Sequence, residues 1–276
     1  MTTLFEIIRC ATSGTELHGL GLRSPKPAGC LFHFHGTGGN FYSNPFVEPI
    51  GVIASSLAIS YFTVNLPGHD ETSETERFEE CISAIDSWID AIAPLDCPIF
   101  LQGHSLGALK ILHYMNSPAA KNRDRVQSLI LLSPFDIVAF YCKGKPEDVD
   151  AIRAQVESAM QSGGPASRVS SILFDLWPIS AGTFLDLVRP SGPADTFPSR
   201  SSLRNSPLAS IKLPTLVAIG TEDFAAFPSP SQVVAELKEL GNSIESHLVA
   251  QAPHNFAGQT HALSELVGGW LRSQME

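Results

Sequence analysis

Short apolar runs that end near glycine or proline alternate with longer stretches of helical spacing, and few folds accept that rhythm. "GCLFHFHG", "AISYFTVNLPGH", "PIFLQG", "VQSLILLSP" and "PTLVAIGTED" read as buried strands feeding loops. "FEECISAIDSWIDAIA" puts Cys81, Ile82, Ile85, Trp88, Ile89 and Ile92 on one helical face. "SLGALKILHYM", "PSQVVAELKEL" and "THALSELVGGWLR" read as further helices, "SIESHLVA" as a late strand, and "LFEIIRC" with "LHGLGLR" as an opening strand pair. Strands alternating with helices predict a mostly parallel sheet covered on both faces. In such sheets ligands bind at the carboxyl ends of the strands. His35, Ser105, Asp136, Asp223 and His254 all fall at or just beyond predicted strand ends.

The alternation breaks between about residues 136 and 206. "PEDVDAIRAQVESAM" is helical, and "SSILFDLWPISAGTFLDLVRP" is helical but interrupted at Pro178. A stretch rich in Ser, Pro and Arg closes the gap. An insertion this long predicts a helical cap rather than a structureless loop, the other reading being a packed subdomain with no part in substrate choice. One domain over residues 1–276 is expected, with the cap inside it.

The chain has 276 residues and a formal net charge of −10, which disfavours binding to a phosphate backbone. No stretch approaches the roughly 20 apolar residues of a membrane span. "MTTLFEIIRC" lacks a basic start and a long apolar run, so a cytoplasmic protein is expected. The five cysteines are odd in number and scattered, without zinc spacing, and are expected to be unpaired thiols.

Gly103-His104-Ser105-Leu106-Gly107 fits G-x-S-x-G between a strand and a helix. That context makes Ser105 the candidate nucleophile, on a turn too tight for a Cβ at either glycine, at the positive end of the following helix. His104 reads as a packing residue beside it. A serine hydroxyl needs a base. His254, in "QAPHNFAG", follows the last predicted strand and can reach back to Ser105; His18, His113, His247 and His261 read as ordinary packing or surface residues. Asp223 in "AIGTEDF" gives the chain order Ser, Asp, His; Asp136 in "LLSPFD" is the rival acid, and Glu222 adjoins Asp223. In "HFHGTGGNF" the expected oxyanion donors are the amides of Thr37 and Leu106, with the Thr37 hydroxyl as a conceivable third. The phosphate-loop patterns are missing from this glycine-rich stretch. Candidate substrate contacts are His35, Gly38, His104, Asp136, Trp177 and Phe184. His69 and Asp70 belong either to the pocket rim or to a packed turn.

Taken together, "HGTGGN", "NLPGHD", "GHSLG", "GTED" and "APHNF" resemble the α/β-hydrolase fold superfamily over nearly the whole chain. The resemblance implies an eight-stranded, mostly parallel sheet and a Ser105–His254–Asp223 machine with no metal or organic cofactor. "HGTGGNFYSNPF", "GHSLGALKILHYM", "LLSPFD" and "PISAGTFLDLVRPSGPADTFP" are similar to a branch related to fungal siderophore-esterase-like proteins. That branch implies hydrolysis of an ester, thioester or lactone of a small molecule. The aspartate nucleophile of haloalkane dehalogenases and epoxide hydrolases is replaced here by Ser105. Transferases, offloading thioesterases and lyases or cyclases share the same machinery, and a non-catalytic binding protein shares the fold. An apolar cap with Phe174, Leu176, Trp177, Phe184 and Leu185 would favour hydrophobic or aromatic groups, unless these residues form the core of the cap.

Overall fold

The computed structural model describes residues 5–12, 15–142, 148–167, 179–241 and 243–276. Eight strands form one sheet: β1 Glu6–Thr12, β2 Thr15–Leu22, β3 Gly29–Phe34, β4 Ile59–Val64, β5 Ile99–His104, β6 Val126–Leu132, β7 Thr215–Gly220 and β8 Ile244–Val249. Their order is β1-β2-β4-β3-β5-β6-β7-β8. The first two strands pair antiparallel, β2 meets β4 antiparallel, and the rest run parallel. β3, β4, β5 and β7 are buried at every position, which is why they read as continuous apolar runs rather than alternating ones.

The α-helices of five or more residues among the described residues are α1 Val47–Ser56, α2 Glu80–Ile92, α3 Leu106–Asn116, α4 Ile137–Tyr141, α5 Val149–Gly163, α6 Ala181–Leu187, α7 Pro230–Lys238 and α8 Thr260–Ser273. One face of the sheet packs on α2, α3 and α7 around Phe32, Phe34, Trp88, Leu109 and Leu131. The other packs on α1 and α8 around Leu31, Phe46, Tyr61, Phe100 and Leu263. The expected apolar face of α2 is real: Cys81, Ile85, Trp88 and Ile89 are buried, and the Trp88 indole N–H donates to the Asn65 carbonyl at 2.8 Å. Cys10, Cys30, Cys81 and Cys97 are buried thiols.

Helix α1 has no counterpart among the expected elements, because Pro49 and Gly51 disguise it. Pro49 lies in the first turn, where its missing N–H costs nothing. Gly51 lies where a Cβ would come 2.9 Å from the Tyr61 ring. Between β6 and β7 the chain forms α4, α5 and α6 in place of a further strand. Helix α5 packs on α6, and α6 docks on the turn at residues 70–75: the Ser180 amide and the Thr183 hydroxyl both donate to the Glu74 carbonyl. Part of the expected broken helix, with Phe174, Leu176 and Trp177, lies outside the described residues.

Candidate active site

Strand β5 ends at His104, and the chain turns through Ser105 with φ 55° and ψ −124° before α3 begins. The Ser105 amide is pinned to the Leu132 carbonyl of β6 at 2.9 Å. A Cβ on Gly107 would fall into the Phe34 and His35 carbonyls, and one on Gly103 into the backbone of Gly107. Both glycines are therefore steric requirements of the turn.

Three side chains from distant loops meet at this point. His254 Nε2 lies 2.9 Å from Ser105 Oγ, and His254 Nδ1 lies 2.7 Å from Asp223 Oδ1. The Ala225 amide also donates to Asp223 Oδ1 at 2.9 Å. Burial raises the Asp223 pKa, but the bonds from His254 and Ala225 outweigh it and leave the carboxyl below its ordinary value. Asp223 therefore stays ionised and acts as acceptor, which places the His254 proton on Nδ1 and leaves Nε2 free to accept from the hydroxyl.

His104 sits under this array. Burial, then the neighbouring His254, lowers its pKa to about 3, so its ring is neutral. Its Nε2–H donates to the His254 carbonyl at 2.9 Å, with ring centroids 5.1 Å apart. It also lines the cavity.

Across from the imidazole, the loop after β3 brings Gly36 against Ser105, where a Cβ would come 2.8 Å from the serine Cβ. The amides of Thr37 and Leu106 have no protein acceptor among the described residues. His35 braces the loop from beneath. The Leu66 amide donates to its Nε2 at 3.0 Å, so the proton sits on Nδ1 and is given to the Gly36 carbonyl at 2.8 Å. Burial, then the nearby Lys110 charge, lowers its pKa to about 3. A second brace comes from Asp70, which accepts from the Asn40 side chain at 2.7 Å and from His69 Nδ1 at 2.9 Å. His69 and Asp70 thus form a packed turn that supports the loop and do not line the cavity.

A cavity of about 310 Å³ opens above Ser105. Gly36–Gly39, Ser43, Asn44, Phe135, Phe140, Tyr141, Ile179, Phe224 and Ala225 line it. Gly38 and His104 line it as expected of substrate contacts, whereas His35, Asp136 and Phe184 do not. His35 is consumed by its two backbone bonds. Asp136 is fully buried, caps α4 through the Ala139 amide at 2.9 Å, and binds Arg200 at 2.7 Å. Asp223, not Asp136, reaches His254. Phe184 is buried behind Tyr141, with ring centroids 5.6 Å apart. Trp177 lies outside the described residues. The aromatic lining was missed by sequence reasoning. Phe135 and Phe224 immediately adjoin the two candidate acids in "PFD" and "EDF", and that adjacency was the available signal. Among the described residues no group of three His, Cys, Asp or Glu side chains could hold a metal ion.

A profile of the alpha/beta hydrolase family matches residues 30–266. The chain belongs to that family. The expectation of an α/β-hydrolase fold therefore holds. Among solved structures, the siderophore hydrolase EstB from Aspergillus fumigatus is similar with a TM-score of 0.70 and 16% identity, 98% of each chain being covered. Est1E from Butyrivibrio proteoclasticus is similar with a TM-score of 0.66 and 15% identity over 98% of each chain. At these identities the likeness is one of fold. A shorter match, 34% identical over 74 residues, is to phospholipase YtpA of Bacillus subtilis (strain 168). It spans 25% of this chain and 27% of that protein. No helix among the described residues is long and apolar enough to cross a membrane.

Proposed function

We propose that the protein is a serine hydrolase that cleaves an ester or related acyl bond of a small molecule through an acyl-enzyme. The observation that carries this reading is the continuous hydrogen-bonded path from Ser105 Oγ through His254 to Asp223, open to a cavity of about 310 Å³. That volume lies at the lower end for small-molecule sites.

In this reading Ser105 Oγ attacks the acyl carbon while its proton passes to His254 Nε2. The new negative charge rests on the former carbonyl oxygen, which accepts from the Thr37 and Leu106 amides. Asp223 stabilises the imidazolium. As the tetrahedral intermediate collapses, the bond to the leaving oxygen breaks and His254 returns the proton to that oxygen. Water then repeats the sequence on the acyl-serine, releasing the acid. The segment at residues 136–206 acts as a cap on a single domain spanning residues 1–276, since Phe140, Tyr141 and Ile179 from it wall the cavity.

A fluorophosphonate probe followed by peptide mass analysis tests the reading. Covalent modification of Ser105 is expected, together with release of free acid from short-chain esters. Ser105→Ala should lose both, and Asp223→Asn should lower kcat by about 10⁴ by leaving the imidazole in the wrong tautomer. Hydrolysis that persists in Ser105→Ala would overturn the mechanism.

A further inference from the structure

Phe224 directly follows Asp223, yet 71% of its surface is exposed. Isolated exposed apolar side chains are ordinary. Phe224, however, faces the cavity as one of a set of rings. Its centroid lies 5.2 Å from that of His254 and 6.1 Å from that of Phe140. Phe135 stands perpendicular to His254 at 6.3 Å and to Phe140 at 5.3 Å. Phe135 and Phe224 thus both meet the imidazole, Phe140 meets both of those rings, and all three line the cavity together with the glycine-rich loop, Ser43 and Asn44. Among the described lining residues there is no Lys, Arg, Asp or Glu. The described lining therefore offers a charged group no ion-pair partner.

Proton return fixes which half of a substrate meets these rings. The leaving oxygen takes its proton from His254 Nε2 and must lie within hydrogen-bond reach of it, roughly 3 Å. Phe224 and Phe135, centred 5.2 and 6.3 Å from the imidazole, border the first atoms beyond that oxygen. The oxyanion lies on the other flank, at the Thr37 and Leu106 amides. An aromatic ring held by the leaving group would rest against Phe224 and Phe140 at the 4.5–7 Å spacing that aromatic pairs prefer, and would cover the exposed face of Phe224.

Resting on the serine-hydrolase reading, we propose that Phe224 sets leaving-group specificity, and that the substrate is a small acyl ester of an uncharged alcohol carrying an aromatic ring close to its oxygen. Ser105 Oγ displaces the alcohol by breaking the acyl C–O bond, and water then cleaves the acyl-serine, its second proton returning through His254 to Ser105 Oγ. The bonding pair and the His254 proton go to the alcohol oxygen, and the hydroxyl of water ends on the acid.

The test compares kcat/KM for benzyl acetate, cyclohexylmethyl acetate, ethyl acetate and ethyl phenylacetate, the last with its ring on the acyl side. Benzyl acetate is expected to exceed each of the others by about tenfold. Phe224→Ala should lower the benzyl-to-ethyl ratio by about tenfold, and Phe224→Tyr should restore it. At an exposed position neither change threatens folding. A preference for ethyl phenylacetate, or a ratio indifferent to Phe224→Ala, overturns the proposal while fluorophosphonate labelling of Ser105 upholds the serine-hydrolase reading. Absence of both labelling and turnover overturns the two together.

Discussion

Ser105 holds a φ of 55° that a glycine would occupy without strain. The turn tolerates this because the Ser105 amide is tied to β6 and the two flanking glycines let α3 approach β3 and β5. Strain of this kind is worth about 1–3 kcal/mol per residue. Ser105→Gly is therefore expected to be more stable than Ser105→Ala by about 1 kcal/mol in urea unfolding, part of the relief being offset by glycine's greater freedom when unfolded. Equal stabilities would show that the turn is unstrained. At this scale legibility depended on whether a residue's partner is local. The glycines of "GHSLG" were readable because their spacing around the serine is a local pattern, although the carbonyls that crowd Gly107 belong to Phe34 and His35 on a distant strand end. His104 was readable as a packing residue beside Ser105, but not its bond to the carbonyl of His254, 150 residues further on.

Helix α4 has only five residues, Ile137–Tyr141, yet it carries Phe140 and Tyr141 into the cavity wall. So short a helix cannot hold itself. Its position is set by Asp136, which caps it, and by Arg200, which bonds Asp136 through both its guanidinium and its own amide, each at 2.7 Å. The same guanidinium binds Asp195 at 2.8 and 2.5 Å. One arginine thus ties two nearly buried carboxylates and straps residues 191–200 to α4. Burial drives the Asp136 pKa up and the arginine pulls it back only in part. Removing the cation would leave two buried carboxylates without their partner, a loss of about 3–5 kcal/mol. Arg200→Met should lower stability by that order, and adding Asp136→Asn and Asp195→Asn should recover part of it. In the triple variant KM for aromatic esters is expected to rise more than kcat falls, since α4 moves while Ser105 and His254 stay. A strap whose loss leaves both stability and KM unchanged would be refuted. The strand and long-helix framework was legible because burial on both faces writes itself as apolar runs. α1 and α4 were not, the one disguised by Pro49 and Gly51, the other dependent on a residue 64 positions away.

Among the described residues, three histidines, drawn from two separate strand ends, are buried in neutral form. His35 and His104 have pKa values lowered to about 3, and His33, on β3, is held well below its ordinary value by burial and by the neighbouring His104 and His35. His33 accepts from the Gln102 side chain at 2.9 Å. In the unfolded chain each titrates near 6.5. Below that pH the unfolded state binds protons that the native state refuses, so unfolding becomes more favourable as pH falls. The limiting slope is about 1.4 kcal/mol per pH unit for each group, or about 4 kcal/mol per unit for the three together. Asp223, with its pKa lowered, adds to the loss at more acidic pH, whereas Asp136, raised, opposes it there. Since a domain's stability is about 5–15 kcal/mol, cooperative unfolding is expected between about pH 6 and pH 4. Two of the three histidines brace the glycine-rich loop after β3 and the His254 loop, so fluorophosphonate labelling of Ser105 should vanish with the same midpoint as the tryptophan fluorescence change. His33→Asn should reduce the slope of unfolding free energy against pH between 6 and 5 by about one third, because one proton fewer is taken up on unfolding. A slope unchanged by that substitution would mean that His33 binds its proton equally in both states, which its burial and its bond from Gln102 forbid.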